Sequence, residues 1–561
     1  MFALSACTAA ALACGGSSDE ESPGETTLPQ ATGAARGPYG SAGSASTGAA
    51  GAAGADGASG GAGRGNLGRA GSGSLPENDR DPVDRADPPP RGGGGGNNND
   101  RDRCEDTECE AVGGECQGQT CVFLCDEDAR ECNDEEVECP DNIDCRVECI
   151  DDDTCSQDIT CPNNGNCTID CQENDTCTAV INCAGSDLCD VTCTGDDSCS
   201  VAFAVENAND DVNIDCEGNR TCTGALECGN IGNCDINCTG DDSCAGAIDL
   251  GSDAANLTCS GDGSCTNLIT CETNGGNCDI ACTGADSCAQ AVTCGVVAQL
   301  RSCDINCSGD GSCAAGLTCN AETCTMRCDN DACDGNIACG VLDGETTDCN
   351  VTCGLNSCDG NVACNTTDGD CRIACNEAGA CGGQVDCAAD EGLCNIDCGA
   401  DGTCLNTVTC NSTDNCAILC DNDNACVGNV SCTSDEGTCN INCGNNIAGS
   451  CAAGVACNSD EACVLTCNAD NGCLGAVSCT SDANCTIACG GDASCTAAVA
   501  CDSGTNCAID CNGVGACNNG QPIACVADDR CDVDCLAANA TCIAQVACTA
   551  DDQLNDCPGA I

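Results

Sequence analysis

The sequence has no histidine, tryptophan or lysine, and only three phenylalanines and one tyrosine among its 561 residues. A globular core normally draws on large apolar side chains, so cysteine must carry part of the burial here. Without histidine or lysine, the candidates for a general base or nucleophile reduce to carboxylates, hydroxyls and arginine. The scarcity of aromatic rings also excludes a platform for stacking sugars. We therefore do not expect an enzyme.

Positive charge and long apolar runs are also missing. All 15 basic residues are arginines, against 91 acidic residues, and the formal net charge is −76. Nucleic acid is not expected as a partner, because its phosphates would be repelled. Divalent cations and basic surfaces are the natural counter-species. No apolar run reaches eighteen residues, so the sequence predicts no membrane-spanning helix.

Cysteine is abundant, with 78 residues, and it recurs in a fixed pattern. One unit places cysteines at Cys485, Cys489, Cys495 and Cys501, and the next unit starts at Cys507. We name these the first to fourth cysteines of a unit. So many clustered thiols indicate an oxidising compartment. A short fixed period that runs from residue 104 to the end of the chain indicates a solenoid.

Within each unit the apolar pattern has a period of two, which is typical of half-buried strands. Cys485, Ile487 and Cys489 share one strand face, and Val499 shares another face with Cys501. Turns rich in Gly, Asp and Ser separate these short strands. The predicted fold is all-β: a disulfide-rich parallel β-solenoid of about 20 short coils.

The repeat positions at which another residue replaces cysteine indicate how the remaining cysteines pair. Where the fourth cysteine becomes Val205, the next first cysteine becomes Val212, and Leu250 is followed in the same way by Ala255. Because the two positions are lost together, we expect each fourth cysteine to bond the next first cysteine. Each second cysteine then bonds the third. The predicted disulfides include Cys489–Cys495, Cys501–Cys507, Cys511–Cys517, Cys161–Cys167 and Cys238–Cys244.

The first 103 residues have a different composition. Residues 1–14 read as a signal and lipobox segment, with Leu4-Ser5-Ala6-Cys7 and Ala11-Leu12-Ala13-Cys14 as the two candidate lipid sites. We prefer Cys14, because removing Cys7 and Cys14 leaves an even number of cysteines and orphans none. Residues 15–103 are rich in Gly, Ala, Ser, Pro and Asp, and we expect a disordered tether. The repeat domain occupies residues 104–561.

An acidic residue recurs three positions after the second cysteine, in the turn. If the coils stack in register, these carboxylates form a column in which Ca²⁺ could bind to oxygen ligands. Asp and Asn are also ordinary turn residues that hydrogen-bond nearby backbone, and that interpretation needs no metal. The candidate calcium ligands are Asp196, Asp241, Asp262, Asp310, Asp401, Asp423, Asp470 and Asp492.

The lipobox-like cysteines, the low-complexity tether and the repeat domain together resemble the cysteine-rich repeat lipoproteins of GC-rich Gram-negative bacteria. The resemblance implies a lipid-anchored envelope protein that is surface-exposed on the outer membrane or secreted. It does not imply a reaction. We expect a non-catalytic structural or adhesive protein that presents a rigid acidic rod to extracellular matrix or other surface molecules. A calcium- or cation-binding envelope protein is the alternative, and a β-helix carbohydrate-active enzyme is the second alternative.

Overall fold

The computed structural model describes residue 104 and residues 106–205, 211–229, 232–273, 275–295, 300–340, 348–444, 449–535 and 545–550. These belong to one compact unit, Gly94–Ile561. The predicted segments 1–14 and 15–103, with the lipid-site candidates Cys7 and Cys14, lie outside the described residues.

The first strand of each coil belongs to one long sheet, which we call sheet A. Its sequence runs from the first to the second cysteine. Burial alternates in most of these strands, as in Asn506–Cys511, because both cysteines and the residue midway between them face inward. The parallel strands of sheet A are Thr120–Cys125, Asp144–Cys149, Asn166–Cys171, Leu188–Cys193, Asp211–Cys216, Asn233–Cys238, Ala254–Cys259, Asn277–Cys282, Ser302–Cys307, Thr323–Cys328, Asp348–Cys353, Cys371–Cys375, Cys394–Asp397, Cys416–Cys420, Thr438–Cys443, Ala462–Thr466, Asn484–Cys489, Asn506–Cys511 and Arg530–Cys535.

The second strand of each coil belongs to a facing sheet, sheet B, and contains the fourth cysteine or its replacement in the longer strands. A buried apolar residue, most often Val or Ile, lies two positions before that cysteine, as Val499 does. The strands of sheet B are Val137–Glu138, Ile159–Thr160, Ile181–Asn182, Phe203–Ala204, Leu226–Gly229, Ile248–Gly251, Ile269–Cys271, Val292–Cys294, Gly316–Cys319, Asn336–Cys339, Val362–Thr366, Val385–Ala389, Val408–Ser412, Val430–Ser434, Val455–Ser459, Val477–Ser481, Val499–Ser503, Ile523–Ala527 and Val546–Ala550.

Neighbouring coils pair in parallel and in register, so that equivalent residues lie side by side. Cys485 pairs with Cys507 and Ile487 with Ile509 in sheet A, and Val477 pairs with Val499 in sheet B. The predicted fold class is confirmed: the chain forms an all-β parallel solenoid of about 17 turns. The predicted number was about 20.

That cap closes the N-terminal end of the described solenoid. A helix, Asp106–Ala111, precedes the strand Glu115–Gln117, which pairs antiparallel with Thr120–Cys125. Two disulfides that the repeat pattern does not predict, Cys104–Cys116 and Cys109–Cys121, hold this segment. A second short helix, Arg130–Asn133, lies in the first turn. Because the cap supplies an antiparallel edge strand, the first parallel strand is covered.

The core consists of two columns of disulfides with a column of aliphatic side chains between them. We call the loop from sheet A to sheet B turn 1 and the return loop turn 2. Second and third cysteines bond across turn 1, and fourth and next first cysteines bond across turn 2. All five predicted pairs are disulfides: Cys489–Cys495, Cys501–Cys507, Cys511–Cys517, Cys161–Cys167 and Cys238–Cys244.

The two bridge sites that lack cysteine remain part of the core. Val205, Val212, Leu250 and Ala255 are at most 1 % exposed. Val212 lies between Cys189 and Cys234 in sheet A, so an apolar pair occupies the place of a bridge. Aliphatic contact therefore replaces covalent bonding at these two coils without changing the register.

Candidate functional site

The candidate site lies in turn 1, where five residues separate the second cysteine from the third in most coils. In the loop between Cys238 and Cys244 the glycine is required by a close approach between coils. A Cβ atom on Gly240 would lie only 1.9 Å from the carbonyl oxygen of Gly218 in the preceding coil. Glycine therefore recurs here because the backbones of stacked turns nearly touch.

The next part of turn 1 needs left-handed backbone. Asp242 has φ of 55° and Cys244 has φ of 49°, and equivalent residues in other coils fall in the same region. Asp, Asn and Gly tolerate this conformation best, which explains their recurrence before the third cysteine. In an equivalent turn, between Asp197 and Cys199, Ser198 is fully buried, and its hydroxyl donates to the Gly195 carbonyl at 2.8 Å. Thus most recurring residues of turn 1 have a structural role.

The aspartates proposed as calcium ligands form a ladder of hydrogen bonds from coil to coil. Asp241 Oδ1 accepts the backbone N–H of Asp262, the equivalent residue of the next coil, at 3.2 Å. Asn219 accepts the N–H of Asp241 in the same way, also at 3.2 Å. Both an amide oxygen and a carboxylate oxygen can accept this bond. Equivalent bonds join Asp152 to Asn174, Asn174 to Asp196, Asp196 to Asn219, Asp262 to Ala285, Asp401 to Asp423, Asp470 to Asp492 and Asp492 to Val514.

The structure brings only some of the eight aspartates together. The carboxylates are neighbours in three pairs: Asp241 with Asp262, Asp401 with Asp423, and Asp470 with Asp492. Asp196 instead has Asn174 and Asn219 as its neighbours. Asp310 follows Ala285, which offers no side-chain oxygen. All eight side chains are exposed. The arrangement can thus present pairs of carboxylates to a cation, and not one continuous acidic column.

A second set of acidic residues lies on the outer face of sheet A. Asp279 pairs with Asp304 on the next strand, and its pKa is raised above 3.8 by partial burial, by the charge of Asp304 and by a hydrogen bond with it. The pKa of Asp510 is likewise raised, chiefly by partial burial and then by Asp534 on the adjoining strand. Stacked strands hold these like charges close together, so part of the acidic surface resists ionisation.

Elsewhere on this face asparagine alternates with aspartate. Asn213 Nδ2 donates to Asp190 Oδ1 at 3.1 Å, and Asn237 Nδ2 donates to Asp215 Oδ1 at 2.8 Å. An amide between two carboxylates replaces repulsion with a hydrogen bond. This alternation shows how a chain of such high negative charge can stack its strands.

Cysteine sulfurs also gather in groups of three that could in principle hold a metal, such as Cys149, Cys171 and Cys177. A cysteine binds a metal as a thiolate, whereas each cysteine in this group forms a disulfide. The described sulfurs are therefore cross-links in the oxidised protein.

A column of serines in turn 2 was not recognised from the sequence. Ser412 donates its hydroxyl to the Gly392 carbonyl at 2.6 Å, and Ser459 donates to the Gly437 carbonyl at 2.7 Å. Both side chains are buried, and they tie successive turns together. The signal was available, because serine follows the fourth cysteine by two positions in several consecutive units of the C-terminal half.

Across the described residues, no helix is both long and apolar enough to span a membrane. The fold and the bridges together define a disulfide-clipped parallel β-solenoid. No protein-family model, curated protein or solved structure matches the chain.

Proposed function

We propose that the protein is a non-catalytic lipoprotein of the cell surface that presents a rigid, acidic, protease-resistant rod. The observation that supports this most directly is the cross-linking of nearly every coil on both sides, at turn 1 and at turn 2. Each bridge limits the freedom of the unfolded chain, by about 2 kcal/mol for a loop of this size. A solenoid that is cross-linked by disulfides in nearly every coil is suited to act as a permanent spacer or an adhesive surface.

The sequence outside the described residues supports a surface location. The resemblance of the whole chain to the cysteine-rich repeat lipoproteins of Gram-negative bacteria rests on the lipobox-like segment, the tether of residues 15–103 and the repeat domain. We assign lipidation to Cys14, with Cys7 as the alternative. The lipid anchors the chain in the outer membrane, and the rod extends to extracellular matrix or other surface molecules.

Lipidation is tested in Gram-negative cells that express the full chain. A Cys14→Ala variant is expected to appear in the medium and to lose the mass of the lipid, whereas the matched Cys7→Ala variant stays with the membrane. Release of Cys7→Ala alone would move the anchor to Cys7. Retention of both variants, with no lipid detected by mass spectrometry, would contradict the lipoprotein assignment.

Surface exposure and adhesion are tested on cells with and without the gene. A membrane-impermeant carboxyl label should modify the protein on intact cells, because the chain has 91 acidic residues and no lysine. Gene loss should reduce cell attachment to coated surfaces. Labelling only after the outer membrane is permeabilised would contradict the surface location. Equal attachment of both strains would contradict the adhesive role and leave a structural one.

Calcium binding is the second candidate, and the paired carboxylates favour it. In each pair, such as Asp241 with Asp262, one oxygen of the first carboxylate accepts the ladder bond and both side chains are exposed. Thermal melts of the oxidised protein with calcium and with a chelator test this function. A higher melting temperature in calcium supports it, and coincident curves contradict it.

A further inference from the structure

The disulfides of neighbouring coils touch one another inside the solenoid. Cys149 and Cys177 belong to different bridges, yet their Sγ atoms are 3.4 Å apart. Across turn 2, the Sγ atoms of Cys161 and Cys183 are 3.7 Å apart and also belong to different bridges. These are van der Waals distances between sulfurs, so each bridge lies within reach of the next.

The contacts extend from a cysteine of one coil to both sulfurs of the following bridge. Cys149 lies within 4.8 Å of Cys171 and Cys177, which are bonded to each other, and Cys161 lies within 4.8 Å of the bonded pair Cys183 and Cys189. All these cysteines are buried. A sulfur that lost its own partner would therefore face an intact disulfide.

We propose that the stacked bridges form a path along which a thiol moves from coil to coil by disulfide exchange. If Cys161 carries a free thiol, it loses its proton and the thiolate attacks Sγ of Cys183. The Cys161–Cys183 bond forms, the Cys183–Cys189 bond breaks, and Cys189 leaves as a thiolate that takes up a proton. One thiol and one disulfide are present before and after, so the step needs no oxidant or reductant.

The two columns differ in how far a thiol could travel. Turn 1 bridges follow one another without a gap from Cys125–Cys132 to Cys511–Cys517, 18 bridges in successive coils. A small thiol compound can reduce one bridge while it is itself oxidised to a disulfide. The free cysteines that remain could then exchange with the bridges of the neighbouring coils. Damage at one coil could then be moved away from the place where it arose.

The turn 2 column contains natural breaks that isolate one bridge. Cys228–Cys234 lies between the two coils that lack a turn 2 bridge. Cys234 has Val212 and Ala255 as its register neighbours, and Cys228 has Leu250. The nearest bridge of the same column is two coils away, roughly 9.6 Å, beyond the reach of exchange. This bridge is a built-in control.

The experiment compares Cys167→Ala with Cys234→Ala in the full chain. Each change removes a buried first cysteine, leaving a thiol on Cys161 beside the Cys183–Cys189 bridge or on the isolated Cys228. The folded variants are purified at about pH 5, where thiolate is rare, and then shifted to about pH 8.5. Samples taken over time are denatured in acid, alkylated, and mapped by mass spectrometry without reduction.

In Cys167→Ala, the Cys161 thiol lies between the Cys139–Cys145 and Cys183–Cys189 bridges. The label on Cys161 is expected to fall to about one fifth as these four cysteines become labelled, if the alternative bridges are equally stable. In Cys234→Ala the label should stay on Cys228. Label confined to Cys161 in the folded protein would overturn the proposal. Spread of label in Cys234→Ala would also overturn it, because exchange would then proceed by unfolding and not by contact.

A variant in the turn 1 column provides a second test, so that the result does not depend on whether Cys167→Ala folds. Cys155→Ala leaves Cys149 with a thiol 3.4 Å from Cys177, and exchange should release Cys171. Circular dichroism of each variant at the start and end of the incubation establishes that it remained folded. A folded Cys155→Ala protein that is labelled on Cys149 alone would count against the proposal.

Discussion

At the scale of single residues, the acidic side chains of turn 1 act as hydrogen-bond acceptors between coils. Asp241 and Asn219 make the same bond to the backbone of the next coil, although one is charged and the other is neutral. The oxygen therefore matters more than the charge for the stacking of turns. The charge remains available for solubility and for cations.

Replacement of Asp241 separates these two roles. Asp241→Asn keeps the acceptor and removes a charge beside Asp262, whereas Asp241→Ala leaves the Asp262 N–H without its partner. We expect the alanine change to weaken that bond by about 0.5–1.5 kcal/mol. Amide hydrogen exchange at Asp262 should accelerate by about 2- to 12-fold in Asp241→Ala and stay unchanged in Asp241→Asn. Equal acceleration in both variants would show that the charge holds the turn.

The Asp279–Asp304 pair gives the protein a defined response to pH. Because the pKa of Asp279 is raised in the folded state, the folded protein holds this proton more tightly than the unfolded chain does. The stabilisation is complete below the ordinary value of 3.8 and is lost as the pH rises through the raised pKa. Charge repulsion on sheet A is thus largest at neutral pH.

We expect Asp279→Asn to stabilise the oxidised protein by up to about 1 kcal/mol at about pH 7 and to have little effect at about pH 3. The new amide can donate to Asp304, as Asn213 does to Asp190. Guanidinium denaturation at the two pH values measures the difference. The reciprocal change Asn256→Asp adds a charge between Asp235 and Asp279 and should destabilise at neutral pH. A gain of the same size at both pH values would contradict this explanation.

At the scale of the coil, close stacking of backbones limits which residues turn 1 can hold. Gly240 permits an approach to Gly218 that a β-carbon would block. The bridge Cys238–Cys244 closes the same turn, so the loop cannot widen freely to admit a side chain. Cross-linking and glycine are therefore coupled requirements of one short loop.

A Gly240→Ala change should force the two coils apart and cost about 1–3 kcal/mol. The effect is expected to be local, because a solenoid repeat contacts only its neighbours. Hydrogen exchange measured by mass spectrometry should rise in peptides covering turn 1 of these two coils. Gly402→Asn is the control, since a Cβ there meets no atom within 4 Å and φ is +67°, which asparagine tolerates. Equal exchange in the two variants would rule out the steric cause.

At the scale of the whole molecule, the cross-links and the arginines are distributed unequally along the chain. Eight of the 15 arginines precede Cys104 (Arg36, Arg64, Arg69, Arg80, Arg85, Arg91, Arg101 and Arg103), and there is no lysine. The repeat domain combines few tryptic sites with a disulfide on both sides of nearly every coil. Resistance to proteolysis should therefore belong to the repeat domain alone.

Trypsin is expected to cut the oxidised protein at arginines up to Arg103 and to leave a stable fragment that begins at Cys104. After reduction and alkylation, the same enzyme should also cut at repeat-domain arginines such as Arg220 and Arg372, because the unfolded chain is accessible. Intact-mass measurement of both digests checks the prediction. Rapid cleavage at Arg220 in the oxidised protein would contradict a rigid rod.

The sequence by itself determined the coil and most of its bridges. The alternation of Cys485, Ile487 and Cys489 indicates which side chains face inward, and the joint losses at Val205 with Val212 and at Leu250 with Ala255 identify the cysteine partners. These signals lie within one unit or at its boundary, so the linear chain displays them. The cap differed from this pattern because Cys104 and Cys109 bond across an antiparallel segment outside the repeat.

Only the tertiary structure decided what passes between coils. The bond from Asp262 N–H to Asp241, the approach of Gly240 to Gly218, and the contact of Cys161 with Cys183 each join residues 21 or 22 positions apart. Composition shows that Asp, Gly and Cys recur, but recurrence alone does not distinguish a metal ligand from a backbone acceptor. That distinction depends on the stacking of one coil on the next, because the interacting atoms meet only there.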